Sequence, residues 1–334
     1  MDTYSKRVPF LDIAKGITII LVVIGHSSLP HVVSKWIWSF HVPLFFMVSG
    51  MLFSKEKYPT FLKFTSNRLK LLAIPFILFS IIVLYIYSLI DKNISLNSFL
   101  NVGWQGIALW FIPVLFLTEL LYYSICKFKP ILILFILIIL TIVGYYLYIQ
   151  NVHFGWQIEV VFSAILFYGI GNILQLKIIS LFNYMSIIHL YSLLILLLFL
   201  SFLFSKINEP RLDLCANSLG NGLPTFINAF IGIFFIFAFS RIIDRNMQKM
   251  SNKLKKILLF LGYNTFVILA FSQITMIVII NIFNRYFGIS GILSSILRHI
   301  IMWIILYIII VFIKNYCPWI IGRTKNNKII NIYE

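Results

Sequence analysis

Residues 8–28 read VPFLDIAKGITIILVVIGHSS, an apolar run interrupted by Asp12, Lys15 and His26. Eleven steps lead from Lys15 to His26, which on an α-helix returns to within about 20° of the same azimuth and climbs about 16 Å. One helix face therefore carries both groups. Asp12 lies one turn below Lys15 on much the same face, while Ile13, Ile17, Ile20 and Ile24 fill the opposite one. Ionisable groups are costly inside a bilayer, and where they occur they line a protein interior or an aqueous path. The run is expected to be a membrane-spanning helix that forms one wall of a site.

The rest of the chain fits that setting. It is 61% hydrophobic and 11% charged, with a mean hydropathy of +0.98, against roughly 25% charged residues in soluble domains. Its 334 residues divide into ten apolar runs at approximately 9–27, 36–53, 70–90, 107–126, 130–150, 158–176, 184–205, 222–242, 257–283 and 291–313. Each is long enough to cross a hydrocarbon core of roughly 30 Å. The first run has no basic leader before an unbroken apolar core and no small-x-small cleavage site, so it is expected to stay in the mature protein. No fixed-period repeat or Pro-rich linker divides the chain. The expected fold is all-α, a polytopic membrane protein of about ten transmembrane helices forming one domain over 1–334.

Basic residues bias loops toward the cytoplasm. With the N-terminus inside, 20 of the 27 Lys and Arg fall in inner segments and 6 in outer ones, Lys15 being the remaining one. Both termini are therefore expected in the cytoplasm, with residues 315–334 a basic cytoplasmic tail. The net charge of +17 then reflects topology and anionic inner-leaflet lipids, with no nucleic-acid partner. Cys126, Cys215 and Cys317 have neither metal-ligand spacing nor a disulfide pattern, so no metal is expected.

In this topology His26 lies near the outer end of the first span, and His41, in FHVPLFFMVSG, enters the second span from the same side. A neutral imidazole can take the proton of an attacking hydroxyl, as acyl transfer to an alcohol requires. Histidines also serve as interhelical hydrogen-bond partners. Trp110 and Phe111, in LWFIPVLF, and Gln157 and Glu159, in WQIEVVF, enter from the outer side too. Glu159 is a candidate to orient a histidine, and Trp110 and Gln157 to bind a sugar, although Trp is enriched at membrane interfaces in any case. On the inner side Lys15, Arg68 and Lys70 suit a phosphorylated donor. Pro75 is expected to kink the third span, and Ser49 and Gly50 to permit close helix approach.

These segments, VPFLDIAKGITIILVVIGHS, FHVPLFFMVSG, NRLKLLAIPF and LWFIPVLF in that order, resemble acyltransferase family 3 of integral membrane acyltransferases. The likeness is strongest to the shorter members related to fucose 4-O-acetylases and other polysaccharide O-acetyltransferases, over residues 7–115. Later pieces, FSAILFYGIGNIL and LGYNTFVILAFSQ, agree more loosely. The family's first-span signature, a basic residue with ten residues between it and a histidine, falls on Lys15 and His26. His41, Pro43, Ser49, Gly50, Trp110 and Phe111 fall on its other recurrent positions. Two departures stand out: Ser272 where members often carry histidine, and Arg68 with Lys70 in place of an Arg-x-x-Arg pair.

The resemblance implies transfer of an acyl group, commonly acetyl from cytoplasmic acetyl-CoA, to a hydroxyl of an extracytoplasmic polysaccharide or its lipid-linked precursor. No permanently bound cofactor is implied. The expectation is an O-acetyltransferase of a bacterial cytoplasmic membrane, with His26 as general base or else transient acyl carrier, His41 and Glu159 orienting the acceptor or His26, Lys15, Arg68 and Lys70 holding the donor, and Asp12 supporting. The alternative from another class is a transporter or flippase for a glycan intermediate, since ten spans with buried polar groups also describe carriers.

Overall fold

A computed structural model describes residues 8–27, 29–90, 99–101, 103–104, 107–246, 252–287 and 291–322. Among them the regular structure is helical, apart from one isolated β-bridge between Asp213 and Ser218. Nine helical segments are long and apolar enough to cross a membrane. The first helix, α1 (Pro9–Gly25), has 17 residues, the lower limit for a span of about 17 to 25. The basic tail lies outside the described residues from 323 onward.

Three spans differ from a plain reading of hydropathy. The second is broken into α2 (His31–Trp38) and α3 (His41–Met51), with Phe40 between them at φ −138° and ψ −15°. Pro43 explains the break, because it has no N–H for the Ser39 carbonyl and its ring would clash with that carbonyl. The third span starts at Phe61, earlier than expected, as α4 (Phe61–Arg68), passes through a π turn at Leu69–Ala73 and continues as α5 (Ile74–Ile90). Pro75 follows that π turn directly, one recognised place for the i→i−4 ladder to change. The ninth run, read as one span over 257–283, is instead two helices separated at Asn264. Its side-chain amide donates to the Phe260 carbonyl at 2.7 Å, competing with the backbone ladder.

Then come α6 (Phe111–Ile125), α7 (Pro130–Ile149), α8 (Val161–Tyr184), α9 (Ile187–Ile207), α10 (Leu223–Asn246), α11 (Asn252–Tyr263), α12 (Thr265–Tyr286) and α13 (Ile292–Tyr316). The chain forms two compact units, one of residues 1–55 and 117–265, the other of 56–116 and 266–334.

In the first unit, α1 packs on α10 and α11, and α3 packs on α8. Lipid tails are as apolar as leucine, so close helix contact depends on small residues. A Cβ on Gly50 would meet the Tyr168 carbonyl oxygen at 1.9 Å, and one on Gly171 would meet that of Met47 at 2.2 Å. The α1–α11 pair repeats the device: Gly16 abuts the Leu258 carbonyl and Gly262 that of Asp12. Asn172 locks the first contact, donating to the Gly50 and Phe53 carbonyls while its own carbonyl accepts from Tyr122.

In the second unit, Phe79 of α5 sits edge-on to Phe266 and Phe271 of α12. Trp104 donates to Ser80 at 2.8 Å, and the Gln273 side chain accepts from the Ala108 backbone.

Candidate active site

The first unit brings the two histidines together around a residue that sequence reading did not select. Trp38, the last residue of α2, lies edge-to-face with His26 and with His41, each ring 5.2 Å away between centroids. Its indole N–H donates to the Gly25 carbonyl at 3.1 Å, tying the end of α2 to the end of α1. The helix break positions His41. In a continuous helix the Ile37 carbonyl would accept the His41 backbone N–H; here the His41 Nδ1 bonds it at 3.0 Å. A neutral His41 held this way carries its proton on Nδ1 and leaves Nε2 as an acceptor. His41 is buried, whereas His26 caps α1 and is exposed.

The stripe below His26 faces protein. Thr18 and Val22, between Lys15 and His26 on the same face, are 0% and 5% exposed, while Ile17, Ile20 and Ile24 opposite are half-buried. The Thr18 hydroxyl has no partner among the described residues. A buried hydroxyl without a partner is costly, which marks Thr18 as a polar exception in this covered part of α1. At its foot Lys15 and Asp12 form an ion pair at 2.7 Å.

A segment of residues 208–222 packs against this cluster through Arg211. The Arg211 guanidinium carbon lies 3.9 Å from the Trp38 ring centroid, a cation–π stack. Its Nη1 donates to Ser34 at 3.2 Å, and Nη2 approaches Asp213 at 3.6 Å. Two backbone hydrogen bonds between Asp213 and Ser218 shape the segment. Buried Lys35 of α2 anchors it by pairing with Glu209 and donating to the Lys206 carbonyl. The Lys35 hydrogen bond to its carboxylate holds Glu209 below the usual carboxylate range. Trp36 donates to Ser201 of α9 at 3.0 Å and fixes α2 from the other side. Arg211 counted in the sequence only as an outer-loop cation, and nothing in its spacing marks it.

The histidine beside Glu159 is His153, where the expectation was His26. One carboxylate oxygen lies 3.5 Å from His153 Nδ1, and the other accepts the Phe154 backbone N–H at 3.0 Å. It thereby closes a turn in which Trp156 and Gln157 both take positive φ, 66° and 53°, a conformation rare outside glycine. Gln157 and Glu159 are both buried. Ser49 is half-buried, and Pro43 and Gly50 are buried within α3.

In the second unit Trp110 and Phe111 are buried, at 6% and 7% exposure, with rings 6.3 Å apart. The Trp110 face is thus covered in this state. Arg68 lies over the rings of Tyr58 and Phe64 at 5.7 and 5.3 Å, and Lys70 projects exposed from the π turn. Ser272 is buried within α12. No cluster of three or more metal-ligating side chains occurs among the described residues.

Two imidazoles at the end of a polar helix face, one with a fixed tautomer, can accept and return a proton. A family model described as an acyltransferase domain, that of acyltransferase family 3, matches residues 8–323. No curated protein and no solved structure matches the chain. By that match over nearly its whole length, the chain belongs to acyltransferase family 3 and is a multi-pass membrane enzyme that transfers acyl groups other than aminoacyl groups.

Proposed function

We propose that the protein moves an acetyl group from cytoplasmic acetyl-CoA to a hydroxyl of a cell-surface or exported polysaccharide, or its lipid-linked precursor, in a bacterial cytoplasmic membrane. The observation that carries this reading is the α1 face that runs from half-buried Lys15 through buried Thr18 and Val22 to His26, with Trp38 and His41 beside it. His26, exposed at the outer helix end, takes the proton of the acceptor hydroxyl as its oxygen attacks the thioester carbonyl. The carbon–sulfur bond breaks, the CoA thiolate leaves, and His26 returns the proton to it. Acetyl-CoA and alcohol thus become ester and free CoA.

His41 supports this through Trp38, which it holds in place against His26. Lys15 is the donor-side cation, a bound phosphate competing with Asp12 for its ammonium. Arg211, stacked on Trp38 at the outer side, is a positioning residue for the indole between the two imidazoles.

Mass spectrometry of the surface glycan from a deletion strain and its parent tests the reading. A mass of one acetyl group per modified sugar is expected to vanish on deletion and return with the gene in trans. Identical glycan masses in the two strains would refute polysaccharide acetylation.

A further inference from the structure

The second unit holds an apolar groove of about 790 Å³ between α5, α12 and α13. One wall is the α12 stripe Ile274, Val278 and Ile282; another is the α13 stripe Ile301, Ile305 and Ile309. Both stripes follow the helix repeat, and each ends in an arginine on the same face. Arg285 continues the first at eleven residues from Ile274, and Arg298 continues the second at eleven residues from Ile309.

Arg285 is exposed beside the Tyr286 ring, and Arg298 is half-buried with its Nε directed to the Ser294 carbonyl. Neither has a carboxylate partner among the described residues. The basic-residue asymmetry assigns this end to the outer side. Eleven residues rise about 16 Å, close to half of a hydrocarbon core of roughly 30 Å. The two stripes therefore span about one leaflet, with Phe271 extending the α12 wall by about one further turn and the cations at the headgroup end.

We propose that this groove seats the acyl tail of one anionic phospholipid of the outer leaflet, its phosphate held by Arg285 and Arg298. The isoprenoid tail of a lipid-linked glycan is longer than one leaflet and would overrun it. The site stands apart from the acyl-transfer reading and rests on neither histidine.

Native mass spectrometry of the full chain in neutral detergent, titrated separately with phosphatidylglycerol, phosphatidylcholine and a polyprenyl phosphate, tests it. Phosphatidylglycerol is expected to be retained about tenfold more tightly than phosphatidylcholine, equivalent to about 1.4 kcal/mol. R285Q/R298Q is expected to lose that preference and R285K/R298K to keep it. Val278→Trp, which fills the groove with both arginines intact, is expected to lose retention. Equal retention of the two phospholipids, an unchanged preference in R285Q/R298Q, or displacement of phosphatidylglycerol by the polyprenyl phosphate would overturn the assignment.

Discussion

His41, proposed to hold Trp38 against His26, also has one ring nitrogen open as an acceptor. Its Nδ1 is committed to the Ile37 carbonyl and its edge meets Trp38, so only Nε2 remains to act. A purely structural His41 needs the Nδ1 bond alone; a working one needs Nε2 as well. Asparagine separates the two, because its amide N–H can reproduce the donation to Ile37 while offering nothing at the Nε2 position. His41→Asn is expected to accumulate like wild type yet lose about 10²-fold or more in acyl transfer. Wild-type turnover in that variant, measured by acyl incorporation in membranes, would reduce His41 to a hydrogen-bond anchor. His26 and His41 were legible beforehand because helical spacing and span polarity placed them at one depth. Trp38 and Arg211 were not, since Trp38 takes its position from a helix break and Arg211 from a folded outer segment. Glu159 was legible as an acid inside an apolar run, but its neighbour His153 was not, because the two meet across a positive-φ turn that sequence alone does not specify.

At the scale of elements, proline and glycine decide how the helices meet. Pro43 breaks the second span, so the Ile37 carbonyl, which still accepts the Phe40 N–H at 3.4 Å, takes the His41 ring nitrogen at 3.0 Å in place of the His41 backbone N–H. The kink expected at Pro75 occurs as a π turn, whereas the split at Asn264 escaped notice because apolar residues run through both sides of it. Gly50 was readable as a close-approach position, and its reciprocal partner Gly171 on α8 gives the contact its shape. Gly50→Ala carries two opposing effects. Alanine gains up to about 1 kcal/mol in helix propensity, but its Cβ would lie 1.9 Å from a backbone oxygen. Overpacking costs about 1–3 kcal/mol, or more where backbone must move, so the clash wins. The variant is expected to lower thermal stability in detergent by several degrees. An unchanged midpoint would show that α3 and α8 separate freely.

At the scale of the molecule, a bilayer is the only environment that reconciles the surface with the interior. Ile131, Phe135 and Ile142 on α7 and Ile195 and Phe199 on α9 stand more than half exposed, an apolar surface beyond what a soluble monomer presents. Inside, Asp12, Thr18 and Val22 on the Lys15–His26 face of α1 are covered by protein. Composition alone made the membrane setting legible, and the charge asymmetry supplied the expected orientation. The central claim is that His26 performs the proton transfer that moves the acyl group. Its most direct test is the acyl content of the surface glycan in cells carrying His26→Ala, with membrane abundance of the protein measured in parallel. The account predicts normal abundance and loss of the acyl mass; a glycan acylated to wild-type level would contradict it.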